Sequence, residues 1–413
     1  MKNAALTGTV EFSGSWLTDP VHRAFLLADA RRQLDFFRPS LRADGLFDVL
    51  DLDGRPVKGA AQELHATTRM VHSYALAKAL GDPNADAIID AGMAFLWNAH
   101  RDKTHGGYVW SLKDGVVSDG TKLAYGHVFV LLAGSSAKMV GHPDADRLIA
   151  DAIASLEQHY WDEARGLLRD EFAQDWKPFS TYRGMNANMH GVEAMLAAFE
   201  VTGDKKWLIR AGRILDFFVG KMAPAHDWRI PEHYTEDWQV DPGYTGNPMF
   251  RPAGTTPGHS LELGRLTLQH WDLNGRPGDG ALDRARRLIE QALSTAWLPD
   301  GGFAYTVGLD GKITMPDRYW WPVTEGIGAL SALLKVSPTP ADEVWYRKLW
   351  QFADSHLIDH ARGGWFPELD NTGKPTGRQF IGKPDIYHAL QADLIPLADG
   401  LSNLIPALKR MPR

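Results

Sequence analysis

Gly326-Ile327-Gly328-Ala329-Leu330-Ser331-Ala332-Leu333-Leu334 is a run of small and apolar residues with no polar face. A helix of that composition is buried all round, since one that met water would carry a polar stripe. The run closes a pattern that recurs along the chain: a turn, an amphipathic helix, a Gly-rich apolar turn, then a second helix opening with His, Arg, Asn or Glu. The turns that open the copies are Asp19-Pro20, Gly81-Asp82-Pro83, Gly141-His142-Pro143, Gly203-Asp204, Arg276-Pro277-Gly278 and Ser337-Pro338. They recur mostly at about 60 residues, with one longer interval where a loop is inserted, and such self-similarity marks an array of supersecondary units.

The two helices of each copy differ in character. In the third copy Leu148, Ile149, Ala152, Ile153 and Leu156 share one face, and in the fifth Ala285, Leu288, Ile289, Ala292, Leu293 and Ala296 do the same. These first helices are one-sided. The second helices, near 62–80, 122–140, 186–202, 258–272, 324–335 and 385–399, are apolar nearly all round. Between them stand His105-Gly106-Gly107-Tyr108, Arg165-Gly166-Leu167-Leu168, Asp300-Gly301-Gly302-Phe303 and Arg362-Gly363-Gly364-Trp365. Glycine ahead of an aromatic or apolar residue suits a helix C-terminal turn running into a short extended piece. The pattern predicts an all-α (α/α)6 barrel, first helices outside and second helices inside, with short β pieces in the loops at one end. An open helical solenoid has the same periodicity and is the alternative.

Composition fits one large domain over 1–413. No Ser/Gly linker, charge run or low-complexity tract divides the chain. The 44 basic and 51 acidic residues leave no basic footprint for nucleic acid or an anionic membrane. The absence of cysteine excludes disulfides, thiolate catalysis and Cys-zinc sites. Met1 to Gly14 lacks an apolar core of signal-peptide length, and no run of about 18 apolar residues occurs, so a cytoplasmic location is expected. Nothing in the sequence speaks to oligomeric state.

The openings of the inner helices face one end of such a barrel, where positive helix dipoles and loops form a cleft. They carry Arg69, Tyr125 with His127, Asn186 with Asn188 and His190, His259 with Glu262, Trp321 with Glu325, and Asp385 with His388. His127, between Gly126 and Val128, and His72 read as structural. His190, His259 and His388 occupy comparable places in different copies, which packing alone does not produce. Glu262 and Glu325 open apolar helices and need a partner there, an Arg or His in the wall or a bound ligand. The 15 Trp include several in the turns, and indole faces beside Asn, Arg, His and Glu suit a sugar. No phosphate-binding loop, dinucleotide fingerprint or Gly-x-Ser-x-Gly elbow is present. His259 with Glu262 is a two-residue metal pair lacking a third ligand, so no metal and no cofactor is expected.

Three of these openings resemble the N-acylglucosamine 2-epimerase superfamily, in its aldose–ketose isomerase branch of mannose and sulfoquinovose isomerases. The stretches are Tyr182-Arg183-Gly184-Met185-Asn186-Ala187-Asn188-Met189-His190, Thr256-Pro257-Gly258-His259-Ser260-Leu261-Glu262 and Lys383-Pro384-Asp385-Ile386-Tyr387-His388. Trp321-Pro322-Val323-Thr324-Glu325 and Thr68-Arg69-Met70 add to them. The resemblance spans essentially the whole chain and implies the same barrel, no required metal or nucleotide, and two catalytic histidines, here His259 and His388. It implies isomerisation of D-mannose and D-fructose, or of D-lyxose and D-xylulose, through an enediol. His388 would move the proton between C1 and C2, and His259 would open the ring. Glu262 would orient or charge-stabilise His259, and Glu325 would hold sugar hydroxyls or bias a histidine's pKa. Arg69, Tyr125, Asn186 and His190 would bind oxygens, and Trp321 would form the apolar wall. Sulfosugar isomerases resemble this chain but carry Gln where it has Pro384, which offers no donor to a sulfonate; Gln379 or Lys383 is the nearest substitute. A sulfoquinovose isomerase, a sugar 2-epimerase, a glycoside hydrolase using Glu262 and Glu325 and a non-catalytic sugar-binding protein are the alternatives.

Overall fold

The computed structural model describes residues 14–247 and 250–411, so the reading of Met1 to Gly14 as free of a signal peptide lies, Gly14 apart, outside the described residues. Among the described residues fourteen α-helices follow one another: α1 Pro20–Phe37, α2 Leu64–Ala79, α3 Ala85–Phe95, α4 Ala124–Met139, α5 Ala145–Ser155, α6 Met185–Thr202, α7 Lys206–Leu215, the single turn α8 Ala223–Ala225, α9 Pro257–Leu273, α10 Ala281–Ala296, α11 Trp320–Val336, α12 Pro340–Phe352, α13 Tyr387–Leu397 and α14 Leu404–Lys409. Six of them form the inner ring, each touching the next: α2, α4, α6, α9, α11, α13 and back to α2. The ring is closed, which excludes the open solenoid.

The outer helices sit where their one-sided patterns place them. Along α10 all six predicted core residues are buried, and along α5 and the turn that follows it four of the five are, Ile153 being half-buried. On α11 every residue from Trp320 to Leu333 is buried. Its glycines set the spacing: a Cβ on Gly326 would stand 2.7 Å from Leu349 of α12. Small residues let outer and inner helices approach closely. Helix α11 begins earlier than the apolar run predicts, at Trp320, and tolerates Pro322 because the first-turn amides have no intrahelical partner. Helix α13 is shorter than predicted, starting at Tyr387, whose amide donates to Asp385 Oδ1 at 3.0 Å.

The Gly-containing turns behave as expected. Each returns the chain antiparallel to the end of the preceding helix, pairing Arg101 with Tyr108, Trp161 with Leu168, Trp297 with Phe303 and Ile358 with Trp365. Gly107, at φ +68°, turns where a Cβ would also strike Trp176. Four outer helices end in wide π-helical turns, over Leu96–His100, Leu156–Tyr160, Asp216–Met222 and Ala353–Leu357, which the sequence pattern does not reveal.

Short antiparallel contacts tie each inner-helix opening to the loop of the following copy. Gln62 and Glu63 pair with Leu112 and Ser111, Lys122 and Leu123 with Phe172 and Glu171, and Arg183 and Gly184 with Tyr234 and His233. Thr255 then pairs with Val307, Arg318 and Tyr319 pair with Leu369 and Glu368, and Lys383 pairs with Leu50 of the first copy. This girdle holds all six openings at one end. Among the described residues no helix is long and apolar enough to cross a membrane.

Candidate active site

The inner-helix openings surround a cleft of about 410 Å³. Helical spacing decides what each sends into it. On α9 the residues three apart, His259 and Glu262, share the inward face with Arg265 below them, and on α6 Asn186, His190 and Glu193 do likewise. Of the residues expected at the site, Arg69, Tyr125, Asn186, His190, His259, Glu262, Trp321 and His388 all line the cleft. Glu325 does not. It lies behind His388 and is only 2 % exposed.

Each of the two central histidines is held by a carboxylate. His388 Nδ1 lies 2.8 Å from Glu325 Oε1, while Glu325 Oε2 accepts from Arg265 Nη2 at 3.1 Å. His259 Nδ1 lies 3.0 Å from Glu232 Oε1, which also accepts the Thr256 amide at the start of α9 at 3.1 Å. A carboxylate offers only acceptors, so in both rings Nδ1 carries the hydrogen and Nε2 is left for chemistry. The Trp321 indole touches both rings, 4.9 Å from His259 and 5.9 Å from His388 between centroids. The expectation that Glu262 orients His259 is therefore corrected. That partner is Glu232, in the inserted loop before α9, and Glu262 points instead toward His190 and Arg265, 3.6 Å from each.

The opposite wall carries Arg69, whose Nη1 donates to Asp385 Oδ2 at 2.7 Å and whose Nη2 donates to the Tyr125 hydroxyl at 2.9 Å. Its guanidinium also lies 4.7 Å from the ring centres of Phe129 and Tyr387. Burial pushes the Tyr125 phenol up to about 12, so it remains a donor at neutral pH. Burial opposes ionisation of Asp385, yet the charge and hydrogen bond of Arg69, together with the neighbouring imidazoles of His388 and His65, hold the carboxyl below its ordinary range. His190 is driven down to about 4 by burial and stays neutral. Asn186 keeps its buried side-chain oxygen without a partner.

Two positions in or behind the cleft were not expected. His65, one turn before Arg69 on α2, lines the cleft and stacks on Trp110 at 5.1 Å between centroids and 8° between planes. Burial and the Arg69 charge push its imidazole down to about 3. Its position four residues before Arg69 was the signal. Glu232 had none, because it falls in the insertion, outside the repeat. Conversely, Asn188 pins the turn behind α6 by bonding Leu168 and Gly184, His127 bonds Leu123 and Tyr108, and His72 bonds Ser136. Lys383 is committed to Asp359 at 2.8 Å and to the Gly363 carbonyl, while Gln379 does line the cleft. Among the described residues Arg69 is the one Lys or Arg lining it, and it is paired.

The N-acylglucosamine 2-epimerase (GlcNAc 2-epimerase) profile matches residues 45–392, from the loop before α2 to the middle of α13. The chain belongs to that family. Within the family it is 40% identical to a D-mannose isomerase of Thermobifida fusca over 95% of this chain and 98% of the relative. It is 38% identical to a D-mannose isomerase of Pseudomonas cannabina pv. alisalensis, over 95% and 97%. A crystal structure of a D-mannose isomerase superposes with a TM-score of 0.85 at 34% identity, covering 91% of this chain and 97% of that one. The family barrel accordingly extends over nearly the whole chain.

One group of side chains among the described residues has metal-ligand spacing. His190, Glu193 and Glu262 bring their ligand atoms within 4.8 Å of one another. The pair considered from sequence, His259 with Glu262, is not that group.

Proposed function

We propose that this protein, acting as one catalytic unit over 1–413, interconverts D-mannose and D-fructose, with D-lyxose and D-xylulose as a smaller pair. The observation that carries the reading is the two histidines of one cleft, each with Nδ1 held by a carboxylate and Nε2 left free. The isomerase names of the relatives that cover nearly the whole chain support it.

The steps follow from that geometry. His259 opens the pyranose: a proton leaves the C1 hydroxyl, the C1–O5 bond breaks, and O5 receives a proton. His388 Nε2 then takes the proton from C2 of the open-chain aldose. The C2–H electrons form the C1=C2 bond, and O1 gains a proton to give the enediol. Return of the proton from His388 to C1, with loss of the O2 proton and formation of C2=O2, completes the ketose. Histidine suits both directions because its unperturbed pKa, about 6.5, lets one ring accept and return a proton near neutral pH. Arg69, Tyr125 and Asn186 hold the sugar oxygens, and Trp321 covers a C–H face. The mechanism needs no metal or nucleotide.

The cleft also favours an uncharged sugar. Its Arg69 is already neutralised by Asp385, and Lys383 is spent elsewhere, which leaves no free cation among the described lining residues for a sulfonate. A two-carboxylate hydrolase is disfavoured because Glu325 serves His388 and Arg265 and does not face the cleft. The deciding experiment incubates the protein with mannose and resolves the sugars by chromatography. Fructose is expected. Glucose as the dominant early product would make the chain a 2-epimerase, and unchanged mannose would overturn the reading.

A further inference from the structure

Of the carboxyl groups in and behind the cleft, Glu63 stands at the half-exposed rim, 3.4 Å from His65 Nδ1, and most of the buried ones are engaged. Glu232 and Glu325 hold histidines, Asp385 holds Arg69, and Glu193 accepts the Tyr387 hydroxyl. Glu262 is different. It is 0 % exposed and lines the cleft, yet neither of its oxygens has a hydrogen-bond partner. Its ion-pair distances to His190 Nδ1 and Arg265 Nη2 are 3.6 Å, beyond hydrogen-bond reach, and that Arg265 nitrogen already donates to Glu325 at 3.1 Å.

The charges facing Glu262 make ionisation unfavourable. Glu325 approaches from α11 and Glu193 from α6, both carboxylates, with Arg265 shared among the three. Arg69 on α2 is neutralised by Asp385. Tyr387 of α13 and Tyr125 of α4 complete the surroundings, and burial holds both as phenols. His190 stays neutral. A third negative charge in this enclosure would be unsolvated and would have only a share of one guanidinium, Arg265, at 3.6 Å, which favours the protonated group. Burial first, and the Glu325 and Glu193 charges after it, push its carboxyl well above the ordinary range.

We infer that Glu262 serves the cleft as a neutral carboxylic acid, donating its O–H to a sugar oxygen beside His259 and His190 on which negative charge gathers as the enediol forms. The inference rests on the aldose–ketose reading for the identity of that oxygen. The protonation state itself rests on the enclosure alone. A neutral donor here stabilises developing charge without bringing a charge of its own, which a carboxylate would oppose.

Glu262→Gln and Glu262→Met separate the possibilities, with melting curves confirming that each variant folds. Gln keeps a neutral donor of the same length, so its kcat on mannose should stay within about tenfold, whereas Met should lose about a hundredfold or more. The alkaline fall of the wild-type pH profile, where Glu262 would ionise, should move to higher pH in the Gln variant. Gln as inactive as Met, with that limb unmoved, would overturn the proposal. Infrared difference spectra of wild type against Glu262→Gln at neutral pH should show the carbonyl band of an un-ionised carboxyl lost in the variant, even if Met fails to fold. A lost carboxylate band instead, or a stoichiometric metal lost with Glu262→Gln, would mean an ionised Glu262. If the wild-type protein leaves mannose unchanged, the isomerase reading falls and the donor role with it, while the infrared result still decides the protonation state.

Discussion

Glu232 accepts the Nδ1 hydrogen of His259, its two oxygens standing 3.0 and 3.1 Å from that nitrogen. The same carboxylate caps the first turn of α9 through the Thr256 amide. One side chain thus selects the tautomer of the histidine and fixes the helix that carries it. The loop holding it is itself pinned, since His233 and Tyr234 pair with Gly184 and Arg183 at the mouth of α6.

Glu232→Gln should therefore impair turnover more than binding. An amide can donate to Nδ1, which would put the hydrogen on Nε2 and remove the base from the cleft. The expected loss in kcat is about 10- to 100-fold, as for other groups that hold a histidine in its working tautomer, with a smaller change in KM. Steady-state kinetics on mannose check it. An unchanged kcat would show that His259 does not work through Nε2.

His388→Asn removes the group assigned to the C1/C2 proton and should lower kcat by about a hundredfold or more. Sugar binding, followed by Trp321 fluorescence, should survive. His259→Ala should be crippled to a similar degree. An active His388 variant would end the assignment.

Gly258 permits the indole to reach both histidines. A Cβ there would lie 2.3 Å from a Trp321 ring carbon and 2.7 Å from a second. Gly258→Ala should push the indole aside, raising KM and lowering kcat by about tenfold together, since small misplacements near reacting groups are costly. A variant with wild-type kinetics would show that Trp321 does not wall the sugar.

Chelation bears on the one metal-spaced group among the described residues, His190, Glu193 and Glu262. Prolonged treatment with a chelator, then assay in metal-free buffer, should leave activity nearly unchanged. Loss restored by manganese, cobalt or magnesium would make those three side chains ligands.

A pH effect on stability is expected far from the cleft. Asp393 of α13 is fully buried against Asp29 of α1, and Gln33 Nε2 reaches both, at 2.5 and 3.1 Å. Burial and the Asp29 charge hold the Asp393 carboxyl well above its ordinary range. A raised folded value means that its contribution is complete below the unfolded carboxyl range and is lost as pH rises toward the folded value. Asp393→Asn, neutral throughout, should therefore gain in Tm relative to wild type as pH climbs from about 4 to 8. A gap that shrinks over that interval would mean the aspartate is ionised in the fold.

The barrel was legible because burial imposes a period. Residues on the inner helices have no wet face, so α6 and α9 were placed within one residue of their observed starts, and the cleft-lining residues appear in the first two turns of the inner helices. What escaped the sequence depends on contacts between copies. The π-helical ends of α3, α5, α7 and α12 keep the composition of ordinary helix. Glu232 sits four residues from the surface acid Glu236, and only the pairing of the inserted loop with α6 brings it beneath His259. Glu262 was recognised as a carboxylate in need of a partner. The partners it might have had, His259 and Arg265, proved to be engaged elsewhere.

Solvent isotope separates isomerase from epimerase, which share this family fold. An enediol intermediate leaves the transferred proton on His388 Nε2, which faces the cleft and can exchange with water before delivery. A hydride shift between C1 and C2 would never release it. Mannose turned over in heavy water should give fructose carrying deuterium at C1, with glucose at most a minor product. Unlabelled fructose together with loss of activity on chelation would overturn the proton-transfer mechanism, because shielded transfer by one base would not depend on a metal. Glucose as the main early product, labelled at C2, would show the proton returning from the opposite face. That result would assign His259 as the second acid and the chain as a 2-epimerase.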